Sequence, residues 1–243
     1  MSTPRLQLTV DLHNHSCVSP CASLEMSPRA MAERANELGI DILGLTDHNT
    51  AANCPAFGYW CRRLGILPVF GMEITTAEEL HVLALFDSEQ AAAAMDARLF
   101  PLYRSVPNQP ERWGDQVIVD KDGMIIGEIT PHLTSGAMEI GLTALAAQVR
   151  EAGGMCIPAH IDRPTTSVTS QLGALPPGEF SALEVVRLPP PIGTRGLPLI
   201  CDSDAHYLDD MGRRTFTVEA ARAGFAELKQ AIESAAVRLS IVG

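Results

Sequence analysis

The chain is poor in positive charge. Eighteen Lys and Arg stand against 29 Asp and Glu over 243 residues, a formal net charge of −11 with a pI near 5.0. That balance disfavours a grip on polymeric nucleic acid, which draws on basic patches. Bound divalent cations would weaken the argument, because they place positive charge where a phosphate sits. Lysine itself is nearly absent: only Lys121 and Lys229 occur. CxxC pairs are missing. The six cysteines, at positions 17, 21, 54, 61, 156 and 201, follow no regular disulfide framework, which points to reduced thiols and a cytoplasmic setting. No apolar run reaches the length of a membrane span. The opening residues "MSTPRLQLTVDLHNHS" lack the apolar core of a secretory leader. Internal repeats and low-complexity runs are absent as well. What is present is apolar substance: 46% of the residues are hydrophobic, enough to bury a sizeable core in one α/β domain or two small ones.

Short apolar runs alternate with helical patterns. "LQLTVDLHNHS" reads as a strand. Residues 27–39 read as a helix, with Ser27 as N-cap, Pro28 in the first turn and Gly39 past the end. Strands are expected at 41–48, 66–76, 81–86, 155–160, 182–186 and 197–206. Helices are expected around 52–64, 88–99, 141–154 and 224–237, the last closing the chain. Residues 100–140 break the rhythm. "GDQVIVDKDGMIIGEI" predicts a β-hairpin turning at "DKDG", so this region reads as an insertion and a candidate lid. Residues 161–180 and 187–196, rich in Pro, Gly, Ser and Thr, read as loops. Seven strands alternating with helices predict a parallel α/β barrel or open sheet.

The placement of the seven histidines carries the functional signal. His13 and His15 end the first strand, two apart and so on one face. His48 ends the second strand in "TDH", His160 ends the fifth in "PAH", and His206 ends the last in "DSDAH". His81 opens the fourth strand. Only His132, in the insertion, lies outside the pattern. Glu73 ends the third strand and Asp204 stands two before His206. In parallel α/β folds the carboxyl ends of the strands share one side of the molecule, where sites are built. Residues nearly 200 positions apart can therefore converge. His, Asp and Glu suit Zn, Mn and Fe, and this set exceeds what one ion needs. Taken singly, each residue reads more readily as an ordinary hydrogen-bonded or surface group than as a ligand; it is the set that carries the signal.

The ordered set "DLHNHS", "GLTDHN", "GMEI", "HVLAL", "PAH" and "SDAH" resembles the PHP (polymerase and histidinol phosphatase) family. More narrowly, "HSCVSPCASLEMSP", "HIDRP" and "SDAHYLDDMG" resemble a subgroup described as PHP-domain or metal-dependent phosphoesterase proteins. The resemblance covers nearly the whole chain. It implies a distorted (β/α)7 barrel over residues 1–243, a single domain with the insertion at about 100–140, holding two or three divalent ions at its carboxyl-end face. By position, His13, His15, Glu73 and Asp204 would hold the first ion. Glu73 would bridge to a second, shared with His81 and His160. His48 and His206 would hold a third with one more residue. Many relatives carry Asp or His there; this chain reads "SPC", where Pro20 cannot ligate. Cys21 can serve as a thiolate ligand, or Cys17 and Cys21 are small packing residues.

The implied reaction is metal-dependent hydrolysis of a small phosphomonoester or nucleotide phosphate. Two ions sharing a carboxylate hold a hydroxide that attacks phosphorus in line. Glu73, Asp204, His48 and His206 are the expected catalytic groups. Asp11 and Asp47 lie beside the ligands and are expected to orient imidazoles or to be solvated strand ends. Among Arg163, Arg187 and Arg195, Arg163 in "HIDRP" is the expected phosphate-binding guanidinium. Two rival readings remain. One is an amidohydrolase-like enzyme, which commonly carries a bridging carboxylated lysine; neither Lys121 nor Lys229 stands at a strand end. The other is a non-catalytic metal-binding regulatory module.

Overall fold

The computed structural model describes residues 5–241. Its framework strands are β1 (Leu6–Asp11), β2 (Ile42–Leu45), β3 (Leu67–Thr75), β4 (His81–Phe86), β5 (Met155–Pro158), β6 (Leu183–Glu184), β7 (Leu199–Ile200), β8 (Arg214–Ala220) and β9 (Val237–Ile241). The longer helices are α1 (Pro28–Glu37), α2 (Cys54–Arg63), α3 (Glu89–Leu99), α4 (Leu142–Glu151) and α5 (Phe225–Glu233). Seven strands form one sheet in the order β9-β8-β1-β2-β3-β4-β5, and β6 pairs with β7 in parallel. The 181–185 segment meets β5 through Ser181 N–H to Cys156 O and Ile161 N–H to Glu184 O, both 2.9 Å. Beyond β7, Ala205 bridges in parallel to Asn14, just past β1. These links carry the curled sheet round to its own first strand on the strand-end side. The result is a mixed α/β architecture built on one curled seven-stranded sheet.

Alternation along the strands sorts the core. Phe70, Met72 and Ile74 of β3 and Val82, Ala84 and Phe86 of β4 face α1 to α4. Val69, Leu83, Leu85 and Ile157 face the opposite side with Leu228 and Ile232 of α5. Central β2 is buried on both faces, as parallel strands covered on both sides are. At Gly44 a Cβ would stand 2.2 Å from the Leu12 carbonyl oxygen, so only glycine allows β1 and β2 to approach this closely. α1 begins as its sequence predicts: Ser27 Oγ accepts from Ala30 N–H at 3.2 Å, Pro28 opens the helix, and Gly39 follows at φ 69°. Such a cap contributes about 1 kcal/mol.

Three features differ from the sequence expectation. β3 and β4 are not parallel. The two are an antiparallel hairpin with Thr75 opposite His81, so the residue that opens β4 lies at the same rim as those that close β1, β2 and β3. The chain does not close on a helix: β8 and β9 run antiparallel along the outer side of β1. The signal was there, since "RTFTVEA" alternates with Phe216, Val218 and Ala220 buried. Third, the insertion hairpin forms, pairing Val117–Val119 with Ile125–Glu128, but it is fastened rather than free. Asn53 Nδ2 donates to Ser16 Oγ (2.9 Å) and Val117 O (3.3 Å), and Asn53 Oδ1 accepts from Val119 N–H (3.0 Å). Trp60 Nε1 donates to Lys121 O at 2.7 Å, pinning the turn onto α2. These bonds seat the hairpin against the barrel. Among the described residues no helix is long and apolar enough to cross a membrane.

Candidate active site

The strand-end rim gathers the imidazoles around two buried carboxylates. Glu73, at the end of β3 and only 1% exposed, is the hub. Its Oε1 lies 2.8 Å from His81 Nδ1, 3.0 Å from His160 Nε2 and 3.4 Å from His13 Nε2. Its Oε2 lies 3.1 Å from His48 Nδ1 and 3.4 Å from His15 Nε2. Asp204 is the second hub. Its Oδ1 stands 3.2 Å from His15 Nε2, 3.4 Å from His13 Nε2 and 3.6 Å from His206 Nδ1. Arg163 pairs with the other Asp204 oxygen. The six strand-end histidines, Glu73, Asp204 and Arg163 are therefore brought together. Cys21 is exposed and joins none of the three groups of converging donor atoms found among the described residues: His15/His48/His206, His13/His15/Glu73 and His48/Glu73/His81. Crowding by neighbouring atoms, then the Glu73 carboxylate, push its thiol up to about 12.

Backbone geometry helps the convergence. Asn49, His160 and Asp204 adopt left-handed φ values of 55°, 28° and 48°. Non-glycine residues pay about 1–3 kcal/mol for such conformations and keep them where surrounding structure enforces them. At Asn49 the enforcement is visible: its side chain donates to Leu133 O (2.9 Å) and accepts from Thr75 N–H (2.9 Å). Around Asp204, Arg213 donates to Ser203 O (2.7 Å) and Asp204 O (3.1 Å).

A residue that sequence reasoning missed lies directly behind the cluster. Glu184, buried in β6, accepts from His13 Nδ1 at 3.0 and 3.1 Å and from the His160 amide at 2.7 Å. A proton on His13 Nδ1 leaves the Nε2 lone pair pointing at Glu73 and Asp204, the tautomer that a metal-ligating histidine needs. The signal was a lone Glu inside the apolar run "ALEVV", a charge with no solvent-facing reason to be there. Asp47 holds its neighbours less directly than the sequence suggests. It accepts from Ser16 N–H (2.6 Å), Ser16 Oγ (2.7 Å) and Ser19 Oγ (2.7 Å), and Ser19 Oγ in turn lies 3.4 Å from His15 Nδ1. Asp11 takes up the Ser203 and Gly212 amides instead of an imidazole.

The donor set fits divalent metal. His13 Nε2 and His15 Nε2 are 3.2 Å apart and share Asp204 Oδ1 as a neighbour, at 3.4 and 3.2 Å. Buried His48 Nδ1, although 3.1 Å from Glu73 Oε2, makes no hydrogen bond of good geometry, a need that an ion would satisfy. Charge states agree. Burial opposes ionisation of Glu73, but His81, His13 and His48 hold its carboxyl well below the usual range. Burial likewise opposes the Asp204 carboxylate, and His13 and His15 outweigh it. Burial and then the neighbouring His206 push His15 down to about 4, while burial and His15 hold His48 well below the usual histidine range. For His13, burial is outweighed by the carboxylates of Glu184, Asp204 and Glu73, so its pKa is raised; an ion would compete with that proton.

Comparisons with known proteins bear on the fold. A family model described as PHP domain matches residues 11–95. Among curated proteins none matches in sequence. The fold is similar to the lesion-specific endonuclease PfuEndoQ of Pyrococcus furiosus, with a TM-score of 0.71 at 16% identity, covering 96% of this chain and 58% of that one. It is also similar to Endonuclease Q in complex with a 27-mer duplex substrate bearing an abasic lesion, with a TM-score of 0.69 at 17% identity, covering 94% of this chain and 57% of that one. A third similar fold is a two-domain protein of Bacteroides vulgatus containing a predicted PHP-like metal-dependent phosphoesterase. Its TM-score is 0.58 at 15% identity, covering 98% of this chain and 65% of that one. The chain thus spans less than two thirds of the length of each of these proteins. Residues 11–95 thus match the PHP domain, and most of the chain shares its fold with these proteins.

Proposed function

We propose that the chain is a hydrolase that cleaves a small phosphomonoester or a nucleotide phosphate with two or three bound divalent ions. The observation that supports this reading most is the convergence of six imidazoles on Glu73 and Asp204. His13, His15, Glu73 and Asp204 would hold one ion, Glu73, His81 and His160 a second, and His48 with His206 a third. Zn, Mn or Fe bound there would supply Lewis acidity toward the phosphoryl oxygens and lower the pKa of a coordinated water. The protein groups do the rest. Glu73 joins the two halves of the site and fixes the spacing between them. Glu184 holds His13 and the His160 backbone in place. The Arg163 side chain is one-third exposed and offers its guanidinium fork to non-bridging phosphate oxygens beside Asp204. His206, with 24% of its side chain exposed, stands at the open edge of the cluster, where a leaving alkoxide would take a proton.

A second reading draws on the endonuclease neighbours: the same site would then cut a phosphodiester in damaged DNA. The acidic balance of the chain weighs against it. One panel separates the readings. The metal-loaded protein is assayed on p-nitrophenyl phosphate, bis-p-nitrophenyl phosphate, an abasic-site duplex and an amide. Hydrolysis of the monoester above the others is the expected result; preferential nicking of the duplex would replace it with the second reading.

A further inference from the structure

Beside the cluster lies a cleft of about 280 Å³ whose lining includes Thr75, Glu79, His81, Thr134, Ser135 and Thr166. His81 belongs both to the cleft and to the Glu73 cluster, through its 2.8 Å contact with Glu73 Oε1, so a molecule in the cleft reaches the reacting centre. The lining carries four hydroxyls and one carboxylate, with no lysine or arginine. That chemistry repels a second phosphate and offers donors and acceptors to neutral hydroxyls. The volume is slightly below the roughly 300–1,000 Å³ of sites for drug-sized ligands, which suits a small fragment.

The chain is built to present this lining. Glu79 and Thr166 adopt left-handed φ values of 60° and 53°, conformations glycine would take without strain. Glu79 sits in the β3–β4 turn, held by its N–H to Thr76 O at 2.8 Å. Thr166 is tied to the cluster by its carbonyl, which accepts from His81 N–H at 2.9 Å. The opposite wall comes from the insertion. Asn49 Nδ2 donates to Leu133 O and Gln116 Oε1 accepts from Leu133 N–H (2.8 Å), which anchors the segment leading into Thr134 and Ser135 at the rim. Ser135 Oγ is set further by Ser105 Oγ at 2.9 Å.

We infer that this cleft binds the alcohol portion of the substrate and selects a polyhydroxylated one, a sugar-like phosphomonoester. The inference rests on the phosphomonoester reading above. Its test pairs binding with turnover, comparing the wild type with Glu79→Gln and Ser135→Ala. Calorimetry on the metal-loaded protein measures ribose 5-phosphate, inorganic phosphate and ethanolamine phosphate. Kinetics compare ribose 5-phosphate with p-nitrophenyl phosphate, whose leaving group carries no aliphatic hydroxyl. Ribose 5-phosphate is expected to bind at least tenfold more tightly than inorganic phosphate. Each substitution should weaken ribose 5-phosphate binding and raise its KM about 5- to 30-fold, leaving p-nitrophenyl phosphate turnover within twofold. Equal affinity for ribose 5-phosphate and inorganic phosphate, tighter binding of ethanolamine phosphate, or equal losses on both substrates would overturn the inference. Tight, Glu79-dependent binding of ribose 5-phosphate without hydrolysis of any phosphoester would keep the cleft and sink the phosphoesterase reading instead.

Discussion

The two parts of the chain build the site by different means. Residues 11–95, where the family model matches, supply Glu73 and His81 from β3 and β4, nine and six residues long, and His13, His15 and His48 from just past β1 and β2. The remainder supplies His160, Glu184, Asp204 and His206 from strands only two to four residues long and from turns beside them. In the first part the ladder places Glu73 and His81, and single parallel bridges at Asn14 and His48 extend it toward the histidines beyond β1 and β2. In the second, two residues at positive φ place the side chains, held by Arg213 and by bonds such as Asp162 to the Val186 and Arg187 amides (2.9 and 2.8 Å). The strand-built half therefore makes a stiff cage. The turn-built half, with the insertion, adds the guanidinium and most of the cleft wall, and so carries selectivity.

The comparison can be broken at its joint. Glu73→Ala removes the hub of the strand-built half and Asp204→Ala that of the turn-built half. Each is expected to cost roughly a thousandfold or more in phosphoesterase turnover, since each forfeits several kcal/mol of charge stabilisation, while circular dichroism and melting keep a folded profile. Near-normal turnover in either variant, with metal supplied, would make that half dispensable. Glu184→Gln sharpens the contrast by weakening the orientation of His13 and the His160 backbone without touching the cluster's open face. Its metal affinity should fall about 10- to 100-fold, read by competition with a chromogenic chelator.

Asp47 isolates the strand-built half in the pH dependence of stability. Burial raises its pKa from 3.8 to about 6, against the bonds from Ser16 and Ser19. Because the folded state then binds the proton more tightly than the unfolded one, this group favours folding in acid. Its contribution is lost as pH rises from about 4 to about 6, on the order of 3 kcal/mol across the window. In metal-free protein, urea unfolding of Asp47→Asn at stepped pH should lack that decline. An identical slope in both proteins would contradict it. The smallest effect is expected at Cys21, outside the clusters of converging donors. Cys21→Ser should leave the bound-metal count unchanged; a loss of one ion would restore the thiolate to the ligand set.

Much of this was legible in the sequence because strand ends are marked locally. Apolar runs that stop at His15, His48, Glu73 and His160 announce both a strand and a rim position. His81 was rightly read as opening its strand, but that this end lies at the shared rim was not legible, because periodicity gives no strand direction. Only the five-residue turn between Thr75 and His81, too short for a crossover helix, reveals the antiparallel pairing. The strand at 182–186 was read, but the role of Glu184 was not, because two paired residues carry no alternation to say which face it takes. The C-terminal strands β8 and β9 were lost to the nearby helix pattern, although their alternation was present. Nothing local marks Thr134, Thr166 and Glu79 as neighbours; that proximity comes from the hydrogen bonds of the insertion and of His81.

The central claim is that one cage, shared between the two parts of the chain, holds more than one divalent ion through Glu73. Metal content by mass spectrometry, on protein saturated with Zn or Mn and freed of excess, tests it directly in the wild type and in Glu73→Ala. The account predicts two or three ions per chain in the wild type and at least one fewer in the variant. One ion or none in the wild type, or an equal count in both, would contradict it.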